Sequence, residues 1–154
     1  MTRIGVIADT HGLLRPGALE ALRGSDLILH AGDVGSGTLL PALEDIARVI
    51  AVRGNVDGGP WADLLPLTEV VEVEGRSLYL LHAEEDLDLD PAAAGFAAVI
   101  FGHSHQPVVR YRKGVLYLNP GSAGPRRFDL PVTVASLEVH PDGLRPTLIP
   151  IPVE

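Results

Sequence analysis

Arg3-Ile4-Gly5-Val6-Ile7-Ala8-Asp9-Thr10-His11 is an apolar run that stops at two side chains able to bind a metal. Four later stretches repeat the arrangement. Leu27-Ile28-Leu29-His30-Ala31 stops at Gly32-Asp33, and Val49-Ile50-Ala51-Val52-Arg53 stops at Gly54-Asn55. Leu78-Tyr79-Leu80-Leu81 stops at His82, and Ala97-Ala98-Val99-Ile100-Phe101 stops at Gly102-His103-Ser104-His105. Short apolar runs closed by turn residues read as buried strands of a mostly parallel sheet. Ligands of open α/β sheets bind at the carboxyl ends of the strands. Asp9, His11, Asp33, Asn55, His82, His103 and His105 are therefore expected on one rim, as a site for two metal ions.

The intervening segments fit that reading. Pro16 to Arg23 carries Leu19 and Leu22 at helical spacing behind an N-terminal proline. Ser36 to Ala47 places Leu39, Leu40, Leu43 and Ile46 on one face, with Ser36 as the expected cap. Strand and helix thus alternate through the first half, as in a βαβαβ unit. From Leu67 the pattern changes to hairpins. Val70, Val71 and Val73 precede Gly75-Arg76 and Leu78 to Leu81; Val108 to Arg112 and Val115 to Leu118 flank Lys113-Gly114; Val132 to Val139 and Leu144 to Ile151 flank Pro141-Asp142-Gly143. Asp90-Pro91 starts a short helix through Ala94 that Gly95 ends. Two sheets packed face to face, with helices outside, accommodate both halves.

The 154 residues, 46% hydrophobic, suit one packed domain spanning 1–154. Cysteine is absent, which excludes disulfides and thiolate chemistry. A net charge of −8 argues against stable binding to a nucleic-acid backbone, which needs a basic footprint. The acidic run Glu84, Glu85, Asp86, Asp88 and Asp90 reads as a solvated loop. No apolar run approaches the roughly 18 residues a membrane helix needs, and no leader pattern is visible. A cytoplasmic location without membrane attachment is the expectation.

Asp9 and His11 lie two apart, which puts both on one side of an extended backbone, able to chelate one ion together. His103 and His105 repeat the spacing. Glycines before Asp33 and Asn55 allow close approach of the following side chain. Singly, each residue has an ordinary role: a strand-end aspartate caps a turn, Gly-Asn makes one, and a histidine after an apolar run packs in the core. Their conjunction at five strand ends points to metal. Imidazoles and carboxylates without thiolates suit Mn, Fe, Co, Ni or Zn better than Ca or Mg.

Asp9-Thr10-His11, Gly32-Asp33, Gly54-Asn55, His82 and Gly102-His103-Ser104-His105 resemble, in order, the five signature motifs of the calcineurin-like metallophosphoesterases. The small size and Asn119-Pro120-Gly121-Ser122 resemble the single-domain prokaryotic phosphodiesterase branch. The resemblance implies an α/β fold, a four-layer αββα sandwich of two mixed β-sheets flanked by helices. It implies that Asp9, His11 and His105 hold one ion, that Asn55, His82 and His103 hold a second, and that Asp33 bridges them. Asp33, Asn55 and His82 would then hold a hydroxide nucleophile between ions about 3.5–4 Å apart. Two divalent ions, less two carboxylates and a hydroxide, leave a surplus of about one positive charge to receive an anionic phosphate ester. Manganese is the metal the family implies, with Fe, Zn, Co or Ni as alternatives, and a small or nucleotide-like phosphodiester is the implied substrate. A homo-oligomer is left open. The same branch also resembles a retromer subunit, which implies an alternative: a non-catalytic protein-interaction scaffold. A scaffold predicts a damaged donor set, and all seven donor types are present here.

Some positions depart from the pattern. Val56 stands where many superfamily members carry a histidine that serves the leaving group, so good leaving groups are favoured. Ala83 stands where glycine is expected, and the segment from His82 to His103 is short, which suggests a more open rim. Arg126 and Arg127, and less strongly Arg15, are candidates to grip a phosphate. His30 is read as a packing or supporting histidine, Asp57 as a support for the Asn55 loop, and His140 as a turn residue. No phosphate-cradling Gly-Lys loop and no G-x-S-x-G elbow occur, which disfavours nucleotide-binding and serine-hydrolase readings.

Overall fold

The computed structural model describes residues 1–153. β1 (Thr2–Ile7), β2 (Leu27–His30) and β3 (Arg48–Ala51) pair in parallel, and β9 (Thr133–His140) and β10 (Gly143–Pro150) join antiparallel beside β1. The order is β10-β9-β1-β2-β3. Pro146 and Pro150 are tolerated in β10 because it is an edge strand, where a missing N–H need not break a ladder. The second sheet runs β4-β5-β6-β8-β7. It contains β4 (Thr68–Val73), β5 (Arg76–Leu81), β6 (Phe96–Ile100), β7 (Val108–Arg112) and β8 (Val115–Asn119). Both sheets are mixed, as the family resemblance implies.

The alternation of side chains builds three apolar layers. Ile4, Val6 and Leu29 of the first sheet meet Leu78, Leu80, Ile100, Leu116 and Leu118 of the second, all fully buried. Each contributes about 1.5–3 kcal/mol by leaving water. On the outer face of the first sheet, Ile7 and Ile28 pack under Leu22 of α1 (Pro16–Leu22) and Leu43 of α2 (Leu39–Glu44). On the outer face of the second sheet lie Tyr79, Leu81, Val99, Phe101 and Tyr117. Their cover is slight: a single 3₁₀ turn at Glu84–Asp86, Leu87 and Leu89, and the four-residue helix α4 (Pro91–Ala94). Asp90 caps α4 through the N–H groups of Ala92 and Ala93, and Gly95 ends it at φ 85°, as expected. The four layers are present, with the fourth reduced by the short segment after His82.

Two helical expectations are corrected. The helix expected over Ser36 to Ala47 covers Leu39–Glu44, with Thr38 rather than Ser36 at its N-cap. Pro41 explains the late start: it lacks an N–H, so it fits only where that N–H would go unpaired, in the first turn. Ser36 Oγ instead accepts from the Thr38 N–H at 3.3 Å. A further short helix, α3 (Pro60–Asp63), follows Gly59 and has no counterpart in the sequence reading. Among the described residues, no helix is long and apolar enough to cross a membrane.

Candidate metal centre

The carboxyl ends of β1, β2 and β3 meet those of β5 and β6 along one rim. Backbone bonds tie the loops there: Asp9 N–H to the Gly32 carbonyl at 3.0 Å, His11 N–H to the Asp33 carbonyl at 2.9 Å, and Gly102 N–H to the His82 carbonyl at 2.8 Å. The loops after β2 and β3 come together at Gly54, where an added Cβ would lie 2.1 Å from both the backbone nitrogen and Oδ1 of Asp33. Only a residue without a side chain admits that contact.

The rim gathers the predicted donors into two clusters: Asp9, His11 and His105, and Asp33, His82 and His103, each with ligand atoms within 4.8 Å of one another. In the first, His11 Nε2 and His105 Nε2 lie 3.3 Å apart, and Asp9 Oδ1 lies 3.8 Å from His105 Nε2. In the second, His82 Nε2 lies 3.2 Å from Asp33 Oδ2 and 2.9 Å from Asn55 Oδ1, and His103 Nδ1 lies 3.2 Å from the same Asn55 oxygen. Asn55 thus joins the second cluster. Asp33 Oδ2 also faces His11 Nε2, at 3.8 Å, so one carboxylate lies between the clusters.

The reason the donors converge differs from the sequence reading. Asp9 and His11 were expected to share a side of an extended backbone. They have φ of 55° and 48°, and Asp33, His103 and His105 have φ of 55°, 73° and 64°. Five of the seven donors are therefore left-handed, a conformation that costs a non-glycine residue about 1 kcal/mol or more each. Strand alternation does not aim these side chains; the tight loops after the strands do.

Surrounding groups hold the loops in place. The Asp57 carboxylate accepts from the N–H groups of Val34, Gly35 and Gly54 at 3.2, 2.9 and 2.9 Å, while Asp33 Oδ1 accepts from Val56 N–H at 3.0 Å. The position lacking a histidine therefore contributes its backbone. Fully buried His30 accepts from Gly32 N–H at Nδ1 and donates from Nε2 to Thr10 Oγ1, which in turn donates to the Val34 carbonyl. Burial holds its pKa down at about 3, so it is a neutral spacer. Two supports escaped the sequence reading. Thr10 gave no signal beyond standing between two donors. Fully buried Asn119 donates to the Gly102 carbonyl and to Ser104 Oγ, bracing the loop of His103 and His105. Its motif drew notice only as a resemblance.

The donor set fits a cation. His82 Nδ1–H donates to the Ala31 carbonyl at 2.8 Å, which turns its Nε2 toward the oxygens of Asp33 and Asn55. Burial lowers the His82 pKa, but the hydrogen bond to Asp33 outweighs it and leaves it raised, so without a metal a proton sits in that position. A metal cation there would replace that proton, held by the Nε2 lone pair and the two oxygens, all of which are then acceptors. Asp9 Oδ1 and His105 Nδ1 are buried without a hydrogen-bond partner, and such orphaned atoms are costly. Burial pushes the Asp9 carboxyl up to about 7, opposed by the charge of His82. Burial and then the Arg127 charge hold His105 down at about 4. Burial raises Asp33, but hydrogen bonds from His82 and Val56 outweigh it and leave the carboxyl below its usual range.

The arginines separate. Arg126 and Arg127 are both exposed, and the positive charge of Arg127 lowers the pKa of Asp9, His11 and His105 after the larger effects of burial and nearer charges. Arg15 donates its Nε–H to the Gly124 carbonyl at 3.0 Å, bracing the loop that leads to Arg127. His140 bonds Glu138 at 2.8 Å, at the far end of β9.

Residues 2–142 match the model of the calcineurin-like phosphoesterase superfamily domain. A probable metallophosphoesterase of Methanocaldococcus jannaschii is 34% identical, over 96% of this chain and 81% of its own. The phosphodiesterase YfcE of Escherichia coli is 32% identical, over 79% of each. Wild-type Vps29 of Entamoeba histolytica, solved in complex with zinc, shares the fold at a TM-score of 0.77 and 19% identity, over 96% of this chain and 98% of that one.

Proposed function

Since the chain belongs to the calcineurin-like phosphoesterase superfamily, we propose that it is a metal-dependent phosphodiesterase with two divalent ions, manganese foremost. One observation carries the proposal: Asp33 Oδ2 stands 3.2 Å from the inward nitrogen of His82 and 3.8 Å from that of His11, so one carboxylate serves two donor clusters. Asp9, His11 and His105 are assigned to one ion, Asn55, His82 and His103 to the other, and Asp33 to both. Bound there, divalent ions supply a nucleophile from water near neutral pH and neutralise phosphoryl charge. Arg127 adds an exposed cation to receive the phosphate, with Arg126 next to it on the same exposed loop.

No side chain at residue 56 can hand a proton to the departing oxygen; Val56 is apolar and half exposed. A leaving group that departs as a stable anion therefore suits this site, and aryl diesters are cleaved faster than alkyl ones. YfcE is a phosphodiesterase, which favours a diester over a monoester here. The scaffold reading calls for an eroded donor set, and neither cluster is eroded.

The test is reconstitution. The protein is stripped with chelator, supplied separately with Mn, Fe, Co, Ni or Zn, and assayed on bis(para-nitrophenyl) phosphate, methyl para-nitrophenyl phosphate, dimethyl phosphate and the para-nitrophenyl monoester. Metal restores hydrolysis of the aryl diesters most strongly, and Asp33→Asn or His82→Ala removes about a hundredfold or more of the rate. Undiminished activity in the chelated protein overturns the proposal, and equal rates on aryl and alkyl diesters overturn the leaving-group argument.

A further inference from the structure

Beside Asn55, His82 and His103 the rim opens into a cavity of about 570 Å³. That lies within the roughly 300–1,000 Å³ of pockets that hold small organic ligands. The three donors form part of its wall, so a molecule bound across the second cluster extends into it. Much of the remaining wall is carbon: Leu67, Leu81 and Ala83. Leu67 is 62% exposed, a large apolar side chain turned to solvent at the edge of a polar site. Ala83, in the position where glycine was expected, adds its methyl to the same wall. The thin cover after His82 leaves the space unfilled.

Away from the metal-binding donors, the acidic side chains of the cavity outnumber its basic one. Glu85 and Asp86 are exposed members of its lining, and Glu85 Oε1 lies 3.6 Å from His103 Nε2. Its cation, Arg53, is paired with Asp63 at 3.5 Å. A second anionic group placed here meets two carboxylates and an apolar wall, and is repelled and desolvated at once. An apolar group meets carbon and gains by burial.

On the phosphodiesterase reading above, we propose that this cavity seats one ester group of the substrate and selects phosphodiesters whose group there is apolar and without negative charge. Diesters with a simple aryl group are favoured over those that carry a carboxylate or further phosphates on it.

Two measurements test this. The first compares kcat and KM on para-nitrophenyl diesters whose second group is methyl, phenyl or para-carboxyphenyl. Phenyl is preferred to methyl, and the carboxylate lowers kcat/KM by about tenfold or more, chiefly through KM. Leu67→Glu, an exposed change, collapses the phenyl-to-methyl ratio by about tenfold, and Asp86→Lys narrows the penalty on the carboxylate. The second titrates zinc-loaded, methyl-labelled protein with diphenyl phosphate and with dimethyl phosphate by NMR. Diphenyl phosphate shifts the methyls of Leu67, Leu81 and Ala83, and dimethyl phosphate does not. Equal shifts with both, no shifts with either, or Leu67→Glu acting alike on phenyl and methyl diesters overturns the assignment. Failure to hydrolyse any diester with any metal instead overturns the phosphodiesterase reading, while the titration still decides what the cavity holds.

Discussion

Asp57 shows how much of the site depends on residues that touch no substrate. Its carboxylate gathers three backbone N–H groups from the loops after β2 and β3, and Asp33 returns the exchange through Val56 N–H. The sequence reading gave Asp57 a supporting role on position alone; the structure adds that it supports the Asp33 loop as well as the Asn55 loop. Asp57→Ala leaves three donors without their charged partner, so it destabilises by about 2–4 kcal/mol. It also loosens metal binding by roughly 10–100-fold, the usual effect of removing a support behind the ligands. Urea unfolding and metal titration of the variant check the two effects, and unchanged metal affinity in a weakened protein would assign Asp57 to stability alone. Left-handed Asp9, His11, Asp33, His103 and His105 are the strain that such supports hold in check.

At the level of elements, the strands deliver the loops and the loops aim the ligands. The loops after β2 and β3 are in contact at Gly54, where a methyl would meet the backbone nitrogen of Asp33 as well as its Oδ1. Backbone cannot give way without moving both loops. Gly54→Ala is therefore expected to cost about 3 kcal/mol, near the top of the overpacking range. It would also displace Asn55 from His82, now 2.9 Å away. The check is a lower urea midpoint together with weaker metal binding, and a variant as stable as the parent would show that the loops have room to part. The 3₁₀ turn and α4 illustrate the opposite case: short elements that help bury Tyr79 and Phe101 with few residues and leave the rim open.

For the whole molecule, each donor cluster takes ligands from both sheets. Asp9 and His11 follow β1 of the first sheet and His105 follows β6 of the second; Asp33 and Asn55 follow β2 and β3, while His82 and His103 follow β5 and β6. A cation held in either cluster fastens the sheets together, and unfolding must release it. Free metal at a hundred times its dissociation constant adds about 2.7 kcal/mol. At about 2–4 °C per kcal/mol for a chain of this size, Tm rises by roughly 5–10 °C and falls back with chelator. Calorimetry with and without each ion checks this, and a Tm indifferent to every divalent ion would remove the metal from the folded state.

The sequence by itself determined the strands, the hairpins of the second half and the seven donors at strand ends, because apolar runs, turn residues and spacing are local and each position constrains its neighbours. It missed the late start of α2, where Pro41 overrides the apolar stripe, and it missed α3, which is too short to show a period. Tertiary structure alone decided that the ligands are aimed by left-handed loops, that Asp33 lies between two clusters, and that a cavity opens beside the second. Those are relations between residues tens of positions apart, and the packing of two sheets against each other sets the distances between them.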